Sequence, residues 1–222
     1  TSISKIAKCK SPFSFPLTKD FGEFCGWYLA EGSLNKGRID LSIHTKEQEY
    51  IDKLLNKIGI KHAFYTRGTN TAVYICDTKF KQEILYFWGE KDNKMIPDKI
   101  WGFGKEFIRG LLRGIFLGDG RIRGQFHQLS LASIRPQLIV QLKRLLISLR
   151  LAYPGIQLQK ANTQKTRNNK EIWTITITGK GYTNLADFIG IKKIQRIDKR
   201  QNGYNKFFHF GTRYFWAKVH SV

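Results

Sequence analysis

Two short segments carry an acid where an acid is disfavoured. Residues 24–32 read FCGWYLAEG and residues 112–120 read LRGIFLGDG. Each is an apolar, helix-like run ending on a carboxylate, Glu31 or Asp119, followed by glycine. A helix C-terminus carries partial negative charge, so a carboxylate there is destabilising. The chain is also poor in acid, with 17 Asp+Glu against 38 Lys+Arg and a formal charge of +21. Two carboxylates brought side by side repel each other and settle by sharing a proton or by binding a divalent cation. On a strongly basic surface, Mg²⁺ with phosphate answers that need, because Mg²⁺ takes one or two carboxylates plus phosphate oxygens and water. A single such segment would equally be a solvated acid at a helix end. Two copies at one offset with matched flanks argue against that.

The elements that must position these acids repeat as well. Gly26 matches Gly114, Glu31 matches Asp119 and Gly32 matches Gly120, each pair 88 residues apart (119 − 31). A short turn with glycine follows each segment, NKGR (35–38) and IRGQ (122–125), then an alternating strand, RIDLSIH (38–44) and HQLSLAS (127–133). A helix-period stretch comes next, 46–60 and 135–151, with Pro136 suited to a first helical turn. A second hairpin follows in each half, turning at 67–70 in the first and through the basic connection ANTQKTRNNK (161–170) in the second. Each half closes with a helix, near 79–90 and 180–189. The order is αββαββα, twice. Small residues four apart, Gly26 with Ala30 and Gly114 with Gly118, allow two helices to approach closely. Gly32 and Gly120 are expected at C′ positions in left-handed conformation. The expected division is an arm over 1–17, a first half over 18–92, a linker over 93–103, a second half over 104–190 and a basic, aromatic tail over 191–222.

Composition narrows the partner. A sequence pI near 10.0 points to a polyanion, with nucleic acid ahead of an anionic membrane surface. No apolar stretch approaches the ~20 residues of a spanning helix. The start, TSISKIAKCK, has no secretory h-region and no Met, as in a trimmed or processed chain. Cys9, Cys25 and Cys76 are odd in number and form no CxxC pair, which disfavours a disulfide framework or zinc ribbon. His44, His62, His127, His209 and His220 show no metal-ligand spacing, and GxGxxG and P-loop patterns are absent. An intracellular setting, prokaryotic cytoplasm or organelle matrix, is expected.

The pair FCGWYLAEG and LRGIFLGDG resembles the two copies of the LAGLIDADG homing endonuclease motif, and the resemblance covers residues 18–190. It implies an α+β, pseudo-symmetric monomer of two αββαββα halves, packed through the two motif helices, with antiparallel saddle-shaped sheets lying in the DNA major groove. It implies staggered cuts of both strands across the minor groove, leaving 3′ overhangs in a long, asymmetric double-stranded site. The cofactor implied is Mg²⁺, replaceable by Mn²⁺, with Ca²⁺ binding without supporting cleavage. Glu31 and Asp119 occupy the family's metal-ligand position, and Ala30 and Gly118 beside them are expected to complete the metal site. Leu29 and Leu117 stand where the family name has its first aspartate. Because Glu31 is a methylene longer than Asp119, the two strands are expected to be cut at unequal rates. Lys79 and Lys180, in DTK and TGK, are the catalytic lysines expected from context, with Thr45, Lys46, Ser133 and Arg135 as a second tier.

Strand alternation separates the residues that would read DNA from those that face the core. Arg38, Asp40, Ser42 and His44 point outward in the first half. Arg121, Arg123, Gln125, Gln128, Ser130, Thr174 and Thr176 do so in the second. Arg, Gln and Ser suit major-groove edges, whereas Lys165 and Arg167 in the 161–170 loop suit phosphates. Two other functions fit the same charge: an RNA-binding intron maturase, which the family also produces, and a DNA-binding regulator without cleavage. The intact acid pair argues against the regulator. The chain does not begin with Cys or Ser and ends HSV, not His-Asn, so a free-standing, intron-encoded protein is expected over an intein.

Overall fold

The structure, a computed structural model, describes residues 14–123, 128–159 and 171–191. The candidates Gln125, Lys165 and Arg167 lie outside the described residues, as do residues 1–13 of the arm and the tail from 192. The first half contains α1 (Lys19–Glu31), β1 (Gly32–Asn35), β2 (Arg38–His44), α2 (Gln48–Lys57), β3 (Ala63–Arg67), β4 (Asn70–Ile75) and α3 (Thr78–Trp88). The second contains α4 (Lys105–Gly118), β5 (Gly120–Arg123), β6 (Gln128–Ser133), α5 (Pro136–Ser148), β7 (Gly155–Gln159), β8 (Ile172–Thr178) and α6 (Gly179–Ile189). Each half therefore has the expected αββαββα order. Its four strands form one antiparallel sheet, ordered β1-β2-β4-β3 in the first half and β5-β6-β8-β7 in the second.

Local chemistry accounts for the element ends. Thr18 caps α1 by accepting from the Phe21 amide at 3.2 Å, and Asp77 caps α3 by accepting from the Phe80 amide at 2.9 Å. Pro136 opens α5, and Gly190 closes α6 with φ +67°. Along β2, Ile39, Leu41 and Ile43 are buried while the residues between them face out. Leu129 and Leu131 on β6 and Ile175 and Ile177 on β8 repeat the pattern. One apolar core runs through both halves, with Phe21 of α1 edge-on to Phe107 of α4 and Trp88 of α3 stacked on it, centroids 6.0 and 6.3 Å away.

The two motif helices, α1 and α4, pack directly on each other through small residues. A Cβ built on Gly26 would lie 2.8 Å from Gly114 Cα, and one on Gly118 would lie 2.6 Å from Ala30 Cβ. Gly22 and Gly110 extend the seam by a turn: a Cβ on either would overlap a backbone carbonyl of the other helix. The runs Gly22-Gly26-Ala30 and Gly110-Gly114-Gly118 are each spaced by four, so the seam is one turn longer than the pairs Gly26 with Ala30 and Gly114 with Gly118 imply. Interior glycine costs about 0.5–1 kcal/mol relative to alanine, and here backbone approach replaces what a side chain would contribute.

The expected left-handed caps at Gly32 and Gly120 are not found. Gly32 is extended, φ −80° and ψ 154°, and neither glycine has positive φ. Both begin a strand that folds straight back under the helix it follows. A Cβ on Gly32 would sit 2.5 Å from Tyr28 O, and one on Gly120 would sit 2.9 Å from Phe116 Cα. Glycine is required there for space, not for φ.

The segment 91–103, which contains the expected linker over 93–103, is itself packed. It makes two 3-10 turns, Lys91–Asn93 and Asp98–Gly102, and buries Lys94, Ile96, Ile100 and Phe103. The Ile96 amide donates to Gln141 Oε1 of α5 at 2.9 Å, joining the connection to the second half. Among the described residues no helix is long and apolar enough to cross a membrane.

Candidate functional site

The seam between α1 and α4 brings their C-terminal ends to one place. Glu31 is the last residue of α1, and Asp119 follows the last residue of α4, its amide donating to Ile115 O at 3.1 Å. Ala30 and Gly118 face each other across the seam, and a Cβ on Gly118 would lie 3.5 Å from Glu31 Cγ. The Glu31 stem thus leans against the residue preceding Asp119. The close packing that the glycines permit is what makes neighbours of two acids 88 positions apart.

A lysine that strand and helix patterns did not single out lies beneath this pair. Lys94 is 2% exposed. Its ammonium donates to Gly32 O at 2.5 Å, Tyr28 O at 2.7 Å and Leu29 O at 3.3 Å, and sits 4.8 Å from the Tyr28 ring centroid. Leu29 O is one of the carbonyls that the end of α1 leaves without a helical partner, while Tyr28 O also accepts the Gly32 amide. No basic residue stands in the last turn of α1, so Lys94 supplies from outside the helix the positive charge its C-terminus favours. Burial, reinforced by Arg135, pushes the Lys94 amine down to about 7, against the pull of Asp119 and Glu31. The sequence held a faint signal: in KDNKMIP, Lys94 is the cation that abuts the apolar pair Met95-Ile96.

Other candidates sort by distance along the sheet. In the first half, Glu31, Ser42, His44, Tyr65, Arg67 and Asn70 line one open pocket of about 420 Å³. His44 Nδ1 accepts from the Lys46 amide at 3.1 Å, and Glu47 accepts from the His44 amide at 3.0 Å. An accepting Nδ1 leaves the ring proton on Nε2. Thr45 is held to the β3–β4 turn, donating to Gly68 O at 3.3 Å. Ser133 is buried, and Arg135 reaches across to the first half, its Nε donating to Lys91 O at 2.6 Å.

Lys79 and Lys180 are not brought to this pair. Both are exposed in the first turns of α3 and α6. They follow strand ends aligned with Ile39 and with Gln128, on the side of the β1–β2 and β5–β6 connections. The Glu31 pocket lies at the other end of the strands, beside His44 and Asn70.

The outward faces of the two sheets form the remaining surface. Pairing places Ser33, Asp40, Tyr74 and Ala63 in one transverse row, and Ser42, Ala72 and Tyr65 in the next. In the second half, Arg121, Ser130, Thr176 and Gly155 form one row, and Ala132, Thr174 and Gln157 another. Arg123, on β5, pairs with Gln128, which pairs with Thr178.

The donors at the helix ends are oxygens, from two carboxylates and the adjoining backbone. That set suits a hard divalent cation completed by water and phosphate. Among the described residues no group of three or more His, Cys, Asp and Glu could enclose a metal by itself. His62 is engaged elsewhere, its ring nitrogens 2.8 Å from Ile60 O and from Asp52 Oδ1. Cys25 is a buried free thiol pushed up by burial, and Cys76 is free and exposed.

Two family models match this chain: the LAGLIDADG-like domain over residues 106–190, and the WhiA LAGLIDADG-like domain over residues 22–95. The chain is similar to the DNA-directed RNA polymerase subunit Rpo1C of Methanocaldococcus jannaschii, 31% identical over 144 residues, or 61% of this chain and 16% of that protein. It is also similar to the ATP-dependent DNA helicase Hel308 of Thermococcus kodakarensis, 28% identical over 212 residues, or 87% of this chain and 18% of that protein. The chain spans less than a fifth of the length of these curated relatives. Among solved structures, the homing endonuclease I-DmoI in complex with DNA and Mn superposes with a TM-score of 0.58 at 11% identity, covering 80% of this chain and 99% of that one. The N-terminal LAGLIDADG domain of WhiA superposes with a TM-score of 0.55 at 15% identity, covering 79% and 84%.

Proposed function

Because the chain belongs to the LAGLIDADG family, with one LAGLIDADG-like domain in each half, we propose that it is a site-specific double-strand DNA endonuclease working with a divalent cation between Glu31 and Asp119. The observation that carries this reading is the matched pair of carboxylates at the abutting ends of α1 and α4. A surface that only binds DNA gains nothing from two acids facing phosphate. The recurrence of this segment within both an RNA polymerase subunit and a helicase supports a transferable module over a dedicated part of either machine.

The division of labour follows from the geometry. The chemistry a cation held there would supply is polarisation of the scissile phosphate and a lowered pKa for the attacking water. Glu31 and Asp119 would hold it, each aimed by a helix whose partner prevents sliding. Lys94 ties the end of α1 to the connecting segment, so Glu31 keeps its position as charge changes beside it. Lys94, not Lys79 or Lys180, is the lysine we assign to the acids. His44, with its proton on Nε2, offers a donor to a phosphate oxygen in the pocket it shares with Glu31. The sheet faces bind the duplex, and two halves in one chain make a monomer sufficient for both strands.

A second reading, a regulator that binds DNA without cutting, is favoured by the match of residues 22–95 to the WhiA domain. Incubation with a plasmid carrying the candidate insertion site, with Mg²⁺ and then with EDTA, separates the two. Linear product that requires Mg²⁺ is expected, and Asp119→Asn or Glu31→Gln should slow it by roughly 10²-fold or more. Tight binding with no Mg²⁺-dependent cleavage would establish the regulator. Acceleration of intron splicing without cleavage would establish the maturase.

A further inference from the structure

On the outward face of the first sheet one side chain is held in a single pose while its reading edge stays available. Arg38 Nε donates to Asp40 Oδ1 at 2.7 Å, and Nη2 lies 3.4 Å from Oδ2 of the same carboxylate. Asn35 Nδ2 donates to that Oδ2 from the neighbouring strand. The guanidinium carbon lies 4.0 Å from the Tyr74 ring centroid. Tyr74 is directly opposite Asp40 in the β2–β4 pairing, and so diagonal to Arg38. The carboxylate therefore fixes one edge of the guanidinium and the phenol ring fixes its plane.

A guanidinium has five N–H donors in a rigid fork. Asp40 takes the side edge, Nε with Nη2. The end edge, Nη1 with the second Nη2 proton, has no protein partner among the described residues. Two parallel donors at that spacing match O6 and N7 of guanine in the major groove. Arg38 side-chain exposure is 39% and that of Asp40 is 13%, so the reader is presented and its clamp is tucked behind it. A mobile surface arginine would have to lose its rotamer freedom on binding; this one has lost it already.

From this cluster we infer that Arg38 specifies a guanine at one base pair of the target. Asp40, Asn35 and Tyr74 are positioning residues that act through it. The assignment rests on the DNA-binding reading above and makes Asp40 a clamp, not a base reader. Along β2 the cluster lies toward the β1–β2 turn, whereas Ser42 and His44 line the Glu31 pocket. It should therefore govern which site is bound and leave the chemistry at the helix ends untouched.

The test uses the full chain with Ca²⁺ and a randomised duplex library, selecting bound DNA by gel shift. Affinities of the selected duplex and all its single-base-pair variants are then measured. Wild type should prefer guanine at one position in the first-half site by roughly 5- to 150-fold. Arg38→Ala should abolish that preference alone, Asp40→Asn should weaken it at the same base pair, and Tyr74→Phe should retain it where Tyr74→Ala does not. Thermal melting of each variant checks folding, and position-specific loss is a readout that general destabilisation does not produce. Uniform weakening at every position in Arg38→Ala would make it a phosphate contact and overturn the inference. So would loss at a different position in Asp40→Asn. If wild type enriches no sequence, the DNA-binding reading itself fails.

Discussion

At the scale of single residues, the acids at 31 and 119 raise a physical problem that Lys94 solves. Below about pH 7, where it is protonated, the buried Lys94 ammonium donates to three carbonyls at the end of α1 and offsets negative charge from the helix terminus and from both carboxylates. Its burial has a measurable consequence. Folded, Lys94 titrates at about 7; its ordinary value is 10.5. Between those values the unfolded chain binds a proton that the folded chain does not, so stability rises with pH across that window. Below pH 7 both states are protonated and the penalty is full. In EDTA, wild type should gain up to about 1.4 kcal/mol per pH unit over Lys94→Met between pH 7.5 and 9.5. Denaturant unfolding at several pH values measures this, and parallel curves for the two proteins would remove the assignment. In the sequence, both acids were legible because they recur with matched flanks. Lys94 was not, because nothing in its own neighbourhood repeats or alternates, and its partners are backbone carbonyls more than sixty residues away.

At the scale of elements, α1 and α4 decide the site. Gly114 faces Gly26 so closely that a Cβ on it would lie 2.9 Å from Gly26 Cα and 2.8 Å from the Trp27 amide nitrogen. Neither neighbour is a flexible side chain that could yield. Gly114→Ala should therefore destabilise the fold by roughly 1–3 kcal/mol. It should also lower cleavage by parting Glu31 from Asp119. Urea midpoints and single-turnover cleavage report the two effects, and an unaltered Gly114→Ala protein would show that the seam does not set the spacing. A second device crosses the same seam. Arg113 of α4 donates to Glu23 of α1 and to Tyr50 of α2, both at 3.2 Å, and to Ile189 and Gly190 carbonyls at 3.0 and 2.9 Å. Burial raises Glu23 against the opposing pull of Tyr50 and Arg113, and burial with Glu23 beside it raises Tyr50 to about 12. The repeat has no equivalent of this triad, since Glu23 corresponds to Leu111 and Arg113 to Cys25 (offset 88). It keys one half specifically to the other.

At the scale of the whole molecule, the +21 charge sets the conditions of binding more than the identity of the site. Each phosphate neutralised releases counterion, with a slope of about −0.9 per contact in log affinity against log salt. With roughly 6–10 contacts, affinity for duplex DNA should fall by about 10³- to 10⁵-fold between 50 and 200 mM KCl. A titration that is flat in salt would exclude a phosphate-tracking surface. The asymmetry between halves belongs to the same scale. The first sheet presents Arg38 clamped on Tyr74, whereas the second presents Thr174 and Thr176 around Ser130 and Arg121. Two related frames with different faces suit a target whose half-sites differ.

The sequence by itself determined the duplicated αββαββα order, the strand faces, the small-residue spacing of the motif helices and the two acids. All of these are written in local periodicity or in repetition, which a single chain displays without folding. Tertiary structure alone decided which end of each sheet meets the acids, and so set Lys79 and Lys180 apart from them and drew Lys94 in. It also decided that Gly32 and Gly120 are small for space and not for φ. These outcomes depend on strand register and helix approach, quantities that arise only when distant segments share one core.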